Sequence, residues 1–428
     1  MHSGSNSGGG LKRGSFYGYN IVAAGFFIQA TAIGAMFTYG VFFKEFQAEF
    51  GWSRALISGA SSLAFLIMGA GGIIAGTLND RIGPRIIMTV SGASLGIGYI
   101  LMSWMETPWQ LYLLYGLFVG IGFSTHDVIT LSTVARWFVK RRGMMTGLVK
   151  VGTGAGQFGV PLIATGLIAA FGWRDAYLIV GVVSLVILVA LAQLMKRDPQ
   201  GIGLLPDGDS HHRRSLTSSI EVPSLPLRKV ARTIQFWTIC FAEFAIFFCL
   251  LTTIVHIVPH ARDQGLSPAS AAAVLATIGA VSMLGRIVMG TTNDRIGGKR
   301  SLSICLILLV CSLIWLQVAG NAWMLFFFAV IYGFAHGGLF TVMSPTVAEL
   351  FGTGSHGLLF GMILFSGTIG GSAGPLLAGY VFDVTGSYQV AFMALTALAL
   401  IGLVLIRSLG VPADASPEPN IKMQKEML

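Results

Sequence analysis

Residues 76–85 read Gly-Thr-Leu-Asn-Asp-Arg-Ile-Gly-Pro-Arg, and residues 290–300 repeat the pattern as Gly-Thr-Thr-Asn-Asp-Arg-Ile-Gly-Gly-Lys-Arg. The shift along the chain that carries Asp80 onto Asp294 also carries Pro161, which closes one glycine-rich apolar stretch, onto Pro375, which closes another. Two unrelated landmarks with one offset indicate that the chain is a duplicated unit of about half its length. Membrane transporters are often built from two such repeats.

The composition of the chain requires an apolar solvent. Hydrophobic residues make up 54% of the sequence and charged residues 11%, with a mean hydropathy of +0.76. Soluble domains carry about 25% charged residues. The first apolar run, residues 19–43, exceeds the roughly 7–15 apolar residues of a cleavable signal peptide and is typical of a spanning helix. We therefore expect a protein of the lipid bilayer.

Apolar runs of about 20 residues, the length that spans a bilayer, predict an all-α membrane protein with twelve transmembrane helices in two six-helix, pseudo-symmetric halves. The predicted helices are 18–43, 54–78, 86–105, 110–134, 143–170, 176–195, 233–260, 269–292, 301–318, 322–348, 357–383 and 388–407. The predicted domains are a disordered N-terminus (1–17), an N-terminal bundle (18–195), a linker (196–232), a C-terminal bundle (233–407) and a tail (408–428).

The positive charges predict the orientation of the chain. With both termini and the linker on one side, 21 of the 27 Lys and Arg residues lie there, four lie opposite (Lys44, Arg54, Arg174 and Arg262) and two lie inside helices (Lys150 and Arg286). The positive-inside rule then places the termini and linker in the cytoplasm. We expect a multi-pass protein of the inner (cytoplasmic) membrane. Because topology accounts for the net charge of +9, no nucleic-acid partner is expected.

No enzyme activity and no cofactor are expected. The sequence has no phosphate-cradling loop for ATP and no nucleophile–base arrangement, and its four cysteines lie in apolar helices without metal-ligand spacing.

The repeated motif predicts a gating device. In each copy a helix ends, a tight loop carries Asn-Asp-Arg, and a basic cluster follows. The carboxylates of Asp80 and Asp294 can cap a helix N-terminus or pair with a basic side chain, and Arg81 and Arg295 can hold a neighbouring helix end. The alternative is a stable loop with ordinary positive-inside anchors.

The motif, present twice, resembles the signature of the major facilitator superfamily. Residues 136–156, Arg-Trp-Phe-Val-Lys-Arg-Arg-Gly-Met-Met-Thr-Gly-Leu-Val-Lys-Val-Gly-Thr-Gly-Ala-Gly, resemble a motif of the monocarboxylate transporters and the related oxalate/formate antiporters. Val41-Phe-Phe-Lys-Glu45 and Gly51-Trp-Ser53 are similar to that branch too. The resemblance implies the major facilitator fold and secondary transport by alternating access.

Four ionisable residues lie inside predicted helices, where charge is costly and usually functional. They are Asp127, Lys150, Glu243 and Arg286, and their charges sum to zero. Each is 8 to 11 residues from the nearest charged residue on the cytoplasmic side, which is roughly 12–16 Å along a helix. We therefore expect the four residues to share one layer near the depth at which transporters bind substrate.

Arg286 matches, by resemblance, the helix-8 Arg with which monocarboxylate transporters hold the substrate carboxylate. Ser282 shares its face of the helix, at the position where the family often has a carboxylate. A guanidinium can grip a carboxylate through two parallel hydrogen bonds; the alternative is a structural ion pair with Glu243. Phe37 stands where the family has a Lys, and Lys150 could supply that positive charge instead.

Asp127 and Lys150 flank the loop 135–142 almost symmetrically. Positions at equal depth on consecutive antiparallel helices meet, so we expect either a structural salt bridge or a substrate or proton site. His256, whose imidazole suits proton transfer or substrate hydrogen bonding, is a candidate for substrate binding or an ordinary core histidine. Glu243 and, more weakly, His126 are candidates for proton coupling. Tyr332, Phe340 and Phe365 are candidates for an apolar wall along the substrate, or simply packing residues.

These features predict a secondary transporter that moves a small monocarboxylate such as lactate or pyruvate together with a proton, as a monomeric functional unit. One alternative is an exchanger of organic anions of the oxalate/formate type. An alternative of another class is a non-transporting carboxylate receptor that signals through its linker.

Overall fold

The computed structural model describes residues 16–209 and 227–410, and all regular secondary structure in these two ranges is helical. Within them, eleven helices are long and apolar enough to cross a membrane. One of these, Arg142–Ala192, has 51 residues, roughly 76 Å of helix and more than twice the hydrocarbon core of a bilayer. Gly172 interrupts it with φ 81° and ψ 165°, a conformation open to glycine. The described ranges therefore make twelve crossings.

We number these crossings α1 to α12. Their bounds are Gly18–Phe50, Arg54–Ile82, Pro84–Met102, Pro108–Trp137, 142–171, 173–192, Ile234–Asp263, Pro268–Ile296, Gly298–Val318, Ala322–Phe351, His356–Thr385 and Gln389–Ser408.

The repeat inferred from the sequence is visible in the backbone. Ser53 caps α2 by accepting a hydrogen bond from the third residue of that helix, and Ser267, its counterpart in the second repeat, caps α8 in the same way. After the repeated motif, Gly83 and Gly297 turn the chain with φ of 87° and 82°. Only glycine adopts this conformation without strain. The two halves therefore have the same backbone turn as well as the same sequence motif.

Some predicted helix ends were wrong. The helix predicted to end at residue 43 continues to Phe50, because α1 extends past the apolar run through Lys44 and Glu45 until Gly51 (φ 64°) caps it. The repeated Asn-Asp-Arg lies in the last turn of α2 and of α8 rather than in a loop. Hydropathy marks where a helix enters lipid, whereas capping residues mark where it ends. Most of the predicted disordered N-terminus (1–15), of the linker (210–226) and of the tail (411–428) lies outside the described residues.

Glycines bring the two halves together at the end of the bundle that carries the repeated motif, hereafter the motif end. α2 packs against α11, and α5 packs against α8. A Cβ on Gly76 of α2 would lie 2.2 Å from the carbonyl oxygen of Gly357, and a Cβ on Gly147 of α5 would lie 2.4 Å from that of Arg286. Further along α5, a Cβ on Gly159 meets nothing within 4 Å. Gly147 is therefore packed against α8, whereas Gly159 is not.

This asymmetry predicts a position-dependent effect of bulk on α5. Gly147→Val is expected to force α5 away from α8 at the motif end, whereas Gly159→Val, on the same helix in open space, leaves the contact intact. Thr341, fully buried against Gly147 and Gly290, can carry a reporter cysteine in a background without the native cysteines. Labelling of Thr341→Cys by a membrane-impermeant maleimide should rise several-fold with Gly147→Val. Equal labelling in the two backgrounds would contradict the glycine contact.

Candidate functional site

The site begins at a break in α4. Residues Tyr112–Val119 are π-helical, the chain turns at Ser124 and Thr125, and a regular helix resumes at His126. Asp127 lies in the first turn of this resumed helix, where the exposed N–H groups and the helix dipole favour a carboxylate. Irregular backbone inside a membrane bundle is tolerated where it lines a cavity, and it often marks a functional position.

Asp127 is held by a polar network that joins α1, α4 and α5. Lys150 Nζ lies 2.7 Å from Asp127 Oδ1, and the two side chains are 3% and 18% exposed. Gln29 Nε2 donates to Asp127 Oδ1 at 2.8 Å and to the carbonyl oxygen of His126 at 3.0 Å. Thr153 in turn donates to Gln29 Oε1 at 2.9 Å. The contact that equal depth predicted for Asp127 and Lys150 is confirmed.

Arg286 reaches across from α8 to the other half. Its Nη1 donates to the main-chain oxygen of Lys150 at 2.7 Å, and its Nε is buried without a hydrogen-bond partner. The residue is 2% exposed. Among the described residues, none of the ion pairs joins Arg286 to Glu243, so the structural pair considered as an alternative is not formed. The guanidinium keeps donor capacity for an anion.

Two further groups have unpartnered polar atoms in the same region. Glu243 of α7 is 3% exposed, and its Oε2 is buried without a partner. His336 of α10 has a buried Nδ1 without a partner, and its ring lies 4.9 Å from that of Phe340. Lys150 Nζ lies 5.3 Å from the centre of the Phe340 ring, which is within range of a cation–π contact. These groups line one region between the halves.

Sequence reasoning missed Gln29 and His336. Gln29 is a fully buried amide in an apolar helix, and such polar residues deserve the same scrutiny as charged ones because they must find partners. His336 lies one turn from both Tyr332 and Phe340 on the same helix. That spacing places the three side chains on one face, so the two aromatic candidates pointed to it.

The remaining candidates for substrate contact have different environments. The hydroxyl of Tyr332 donates to the carbonyl oxygen of Leu250 at 2.7 Å, and the side chain is fully buried. Ser282 donates to Gly279 within its own helix at 2.8 Å. Phe365 of α11 lies against Gly69 of α2, where an added Cβ would meet its ring at 2.8 Å. Phe340 and Phe365 therefore contact the region between the halves, whereas Tyr332 ties α10 to α7.

The two candidate histidines are separated. His126 Nε2 lies 3.6 Å from Asp127 Oδ2, and its Nδ1 contacts the carbonyl oxygen of Phe123, so His126 belongs to the polar network. His256 contacts the hydroxyl of Tyr388 at 3.1 Å through Nδ1 and the carbonyl oxygen of Pro375 at 2.9 Å through Nε2. Both ring nitrogens of His256 are thus engaged outside the network.

At the motif end, two carboxylates cap helices of the opposite half. Asp80 accepts from the N–H groups of Gly357 at 3.1 Å and Leu358 at 2.9 Å, in the first turn of α11. Asp294 accepts from the N–H groups of Gly143 at 2.6 Å and Met144 at 2.8 Å, in the first turn of α5. Both contacts place negative charge at a helix N-terminus, where it is stabilising. The repeat therefore builds the same inter-half contact twice.

Arg81 and Arg295 were expected to hold a neighbouring helix end, and they do not. Both are exposed, and the basic partner of Asp80 is Arg136 from α4 of the same half. Since the motif is helical, the residue after each Asp points about 100° away from it. Arg136 was identified in the sequence only as part of a motif and not as this partner.

Comparison with known proteins identifies the family to which this chain belongs. The family model described as Major Facilitator Superfamily matches residues 25–292 and 258–426. Monocarboxylate transporter 13 of Rattus norvegicus is 30% identical over 396 residues, covering 90% of this chain and 87% of the relative. Monocarboxylate transporter 2 of Homo sapiens is 26% identical over 407 residues, covering 90% and 83%. The E. coli fucose:proton symporter has the same fold, with a TM-score of 0.70 and 15% identity, covering 90% of this chain and 97% of that one. The chain belongs to the major facilitator superfamily.

Proposed function

We propose that this transporter is a proton-coupled symporter of small monocarboxylates, similar to lactate or pyruvate, that works by alternating access as a monomer. It would lie in the inner membrane with both termini and the motif end in the cytoplasm. The family and the multi-pass helices support transport across a membrane. The names of its relatives and the charges between the halves support the choice of substrate.

The observation that carries the proposal is the position of Arg286. Asp127 and Lys150 neutralise each other at 2.7 Å, which leaves the buried guanidinium of Arg286 with a main-chain acceptor and an unpartnered Nε. A buried positive charge is stabilised by an anion that can reach it, and a carboxylate matches the guanidinium in shape and donor geometry. The substrate carboxylate would bind here, with its carbon chain against Phe340 and Phe365.

Alternating access would use the contacts at the motif end. The caps made by Asp80 and Asp294 join each half to the first turn of a helix in the other. In the conformation described here these caps close the motif end. Opening that end would break both of them, and substrate bound near Arg286 would then face the cytoplasm. The proton would travel on Asp127, Glu243, His126 or His256, each of which is a group within a helix that can change charge.

Counterflow in proteoliposomes tests the substrate class. Vesicles loaded with unlabelled lactate should take up labelled lactate, and external pyruvate and other small monocarboxylates should compete, while dicarboxylates and sugars should not. Binding of lactate without any flux would favour the receptor. Counterflow supported by oxalate but by no monocarboxylate would contradict the proposed substrate.

The caps at the motif end give a further prediction. Asp294→Asn should slow transport about tenfold, because a neutral cap stabilises the closed motif end by up to about 2 kcal/mol less, so that fewer carriers return to that conformation. Asp80→Asn should act in the same direction. Asp207, whose carboxylate accepts from the N–H groups of Val139 and Lys140 at 3.0 and 2.9 Å, does not join the two halves. Initial rates of counterflow should therefore be unchanged in Asp207→Asn, and equal loss in all three variants would contradict a gating role.

A further inference from the structure

We infer that Glu243 carries the coupled proton, and that Asp127 and Lys150 stay paired throughout the cycle. This inference rests on the proposed function, because it assigns one step of proton-coupled transport to one of several candidate groups. It follows from the charges of the site, from the surroundings of Glu243 and from the internal repeat.

The charges of the site leave Glu243 without a counter-ion in the conformation described here. Lys150 pairs with Asp127 at 2.7 Å, and none of the ion pairs among the described residues includes Glu243 or Arg286. The Oε2 atom of Glu243 is buried without a hydrogen-bond partner. An isolated carboxylate in such a place is costly enough that the group takes up a proton instead.

The surroundings of Glu243 give little compensation to a negative charge. The charged groups that act on it are Lys150 and Asp127, which have opposite signs and lie side by side. On its own helix, Cys240 is the ionisable neighbour. From α11, Gly367 approaches so closely that an added Cβ would lie 3.0 Å from Glu243 Cγ. On α10, the charges that act on His336 are those of Arg286 and Lys150.

The internal repeat shows that a neutral side chain suits this position. The shift along the chain that relates Asp80 to Asp294 also relates Gln29 to Glu243. Gln29 is fully buried, donates to Asp127 and accepts from Thr153. A protonated carboxyl group has nearly the shape of an amide, with one donor and one acceptor. The glutamate of the second half differs from its counterpart chiefly in that it can lose the proton.

The net charge of the site couples the binding of the proton to the binding of the anion. With a proton on Glu243 and an anion on Arg286, the site is neutral. With both gone, the carboxylate of Glu243 and the guanidinium of Arg286 carry opposite charges, and the site is neutral again. A site that holds only one of the two has a net charge, which is costly to carry through a membrane protein interior. The carrier therefore reorients with both ligands or with neither.

Each cycle conserves protons and charge. On the open side a hydronium ion gives its proton to the carboxylate of Glu243, forming an O–H bond and leaving water, and the monocarboxylate binds Arg286. After reorientation that O–H bond breaks, the proton passes to water on the other side, and the anion leaves. One proton and one negative charge cross together, so the transport is electroneutral.

Glu243→Gln separates the two halves of this cycle. The variant mimics the protonated residue permanently, so its loaded site is neutral and labelled lactate should exchange within a few-fold of the wild-type rate. Its empty site keeps the charge of Arg286 and cannot return. Net uptake driven by a pH gradient should therefore fall about a hundredfold, and Glu243→Asp should restore part of it. Cys240→Ser, one turn away, should leave both rates unchanged.

Three other outcomes would contradict either the inference about Glu243 or the proposed function. Uphill uptake by Glu243→Gln at the wild-type level would overturn the inference and leave the proposed function standing. Loss of both exchange and uptake in a variant with wild-type thermal stability would also overturn it, because the neutral loaded site should still reorient. Absence of monocarboxylate flux in the wild-type protein would instead contradict the proposed function itself.

Discussion

Arg286→Lys is expected to weaken binding of a monocarboxylate by about a hundredfold, nearly as much as Arg286→Ala. Arginine here donates through Nη1 to the main chain of Lys150 and still has Nε without a partner. A lysine has one nitrogen at the end of a flexible chain, which cannot hold that carbonyl and present a planar fork to a carboxylate at the same time. Retention of the positive charge alone should not preserve binding.

Equilibrium binding of lactate to purified protein in detergent measures this effect, with thermal unfolding as a check that each variant is folded. Arg262→Lys is the matched control, because Arg262 is an exposed residue near the end of α7. Its affinity should equal that of the wild type. Wild-type affinity in Arg286→Ala would end the assignment of this residue to the substrate.

Asp127 and Lys150 are expected to be strongly coupled in stability. Lys150 Nζ lies 2.7 Å from Asp127 Oδ1, and the Lys150 side chain is 3% exposed. Removing one partner leaves an uncompensated buried charge, which costs about 3–5 kcal/mol, whereas removing both is often nearly neutral. Asp127→Asn and Lys150→Met should each lower the thermal stability, and the double variant should recover much of the loss. Gln29→Leu should lower stability less, because it removes a neutral donor to Asp127.

Transport by the double variant then distinguishes the two roles of the pair. Recovery of both stability and lactate uptake would mean that the pair is structural, as the inference about Glu243 requires. Recovered stability without uptake would assign substrate or proton binding to the pair. Additive losses of stability in the double variant would contradict the contact itself.

Most of the fold could be predicted from patterns that are visible along the sequence itself. The constant shift between the two repeats and the apolar runs indicated two halves of six helices, and the structure has twelve crossings within the described ranges. The helix ends were less accessible, because they depend on capping. The break at Gly172 falls in the gap predicted between residues 170 and 176. The extension of α1 to Phe50 was missed, because it ends at the cap of Gly51, which hydropathy does not mark.

The sequence predicted the depth of the candidate site residues in the membrane, but not the direction in which each side chain points. Distance along each helix placed Asp127 and Lys150 at one level, and they meet. The same argument placed Arg286 and Glu243 in that layer and left an ion pair between them open, yet Arg286 turns toward α5 and donates to the main chain of Lys150. The side of a helix that a residue occupies depends on how helices pack, and the chain order does not specify it. Gln29 was missed because it has no charge, although it is the residue that joins Asp127 to α1.

Uphill accumulation of labelled lactate by proteoliposomes under an imposed pH gradient tests proton-coupled symport most directly. With the external solution acidic and no internal anion, the wild-type protein should concentrate lactate above the external level, and a protonophore should abolish the accumulation. The interior should acidify as lactate enters. Uptake that ignores the gradient and the protonophore, but rises when the vesicles are loaded with an organic anion, would contradict symport and identify an exchanger.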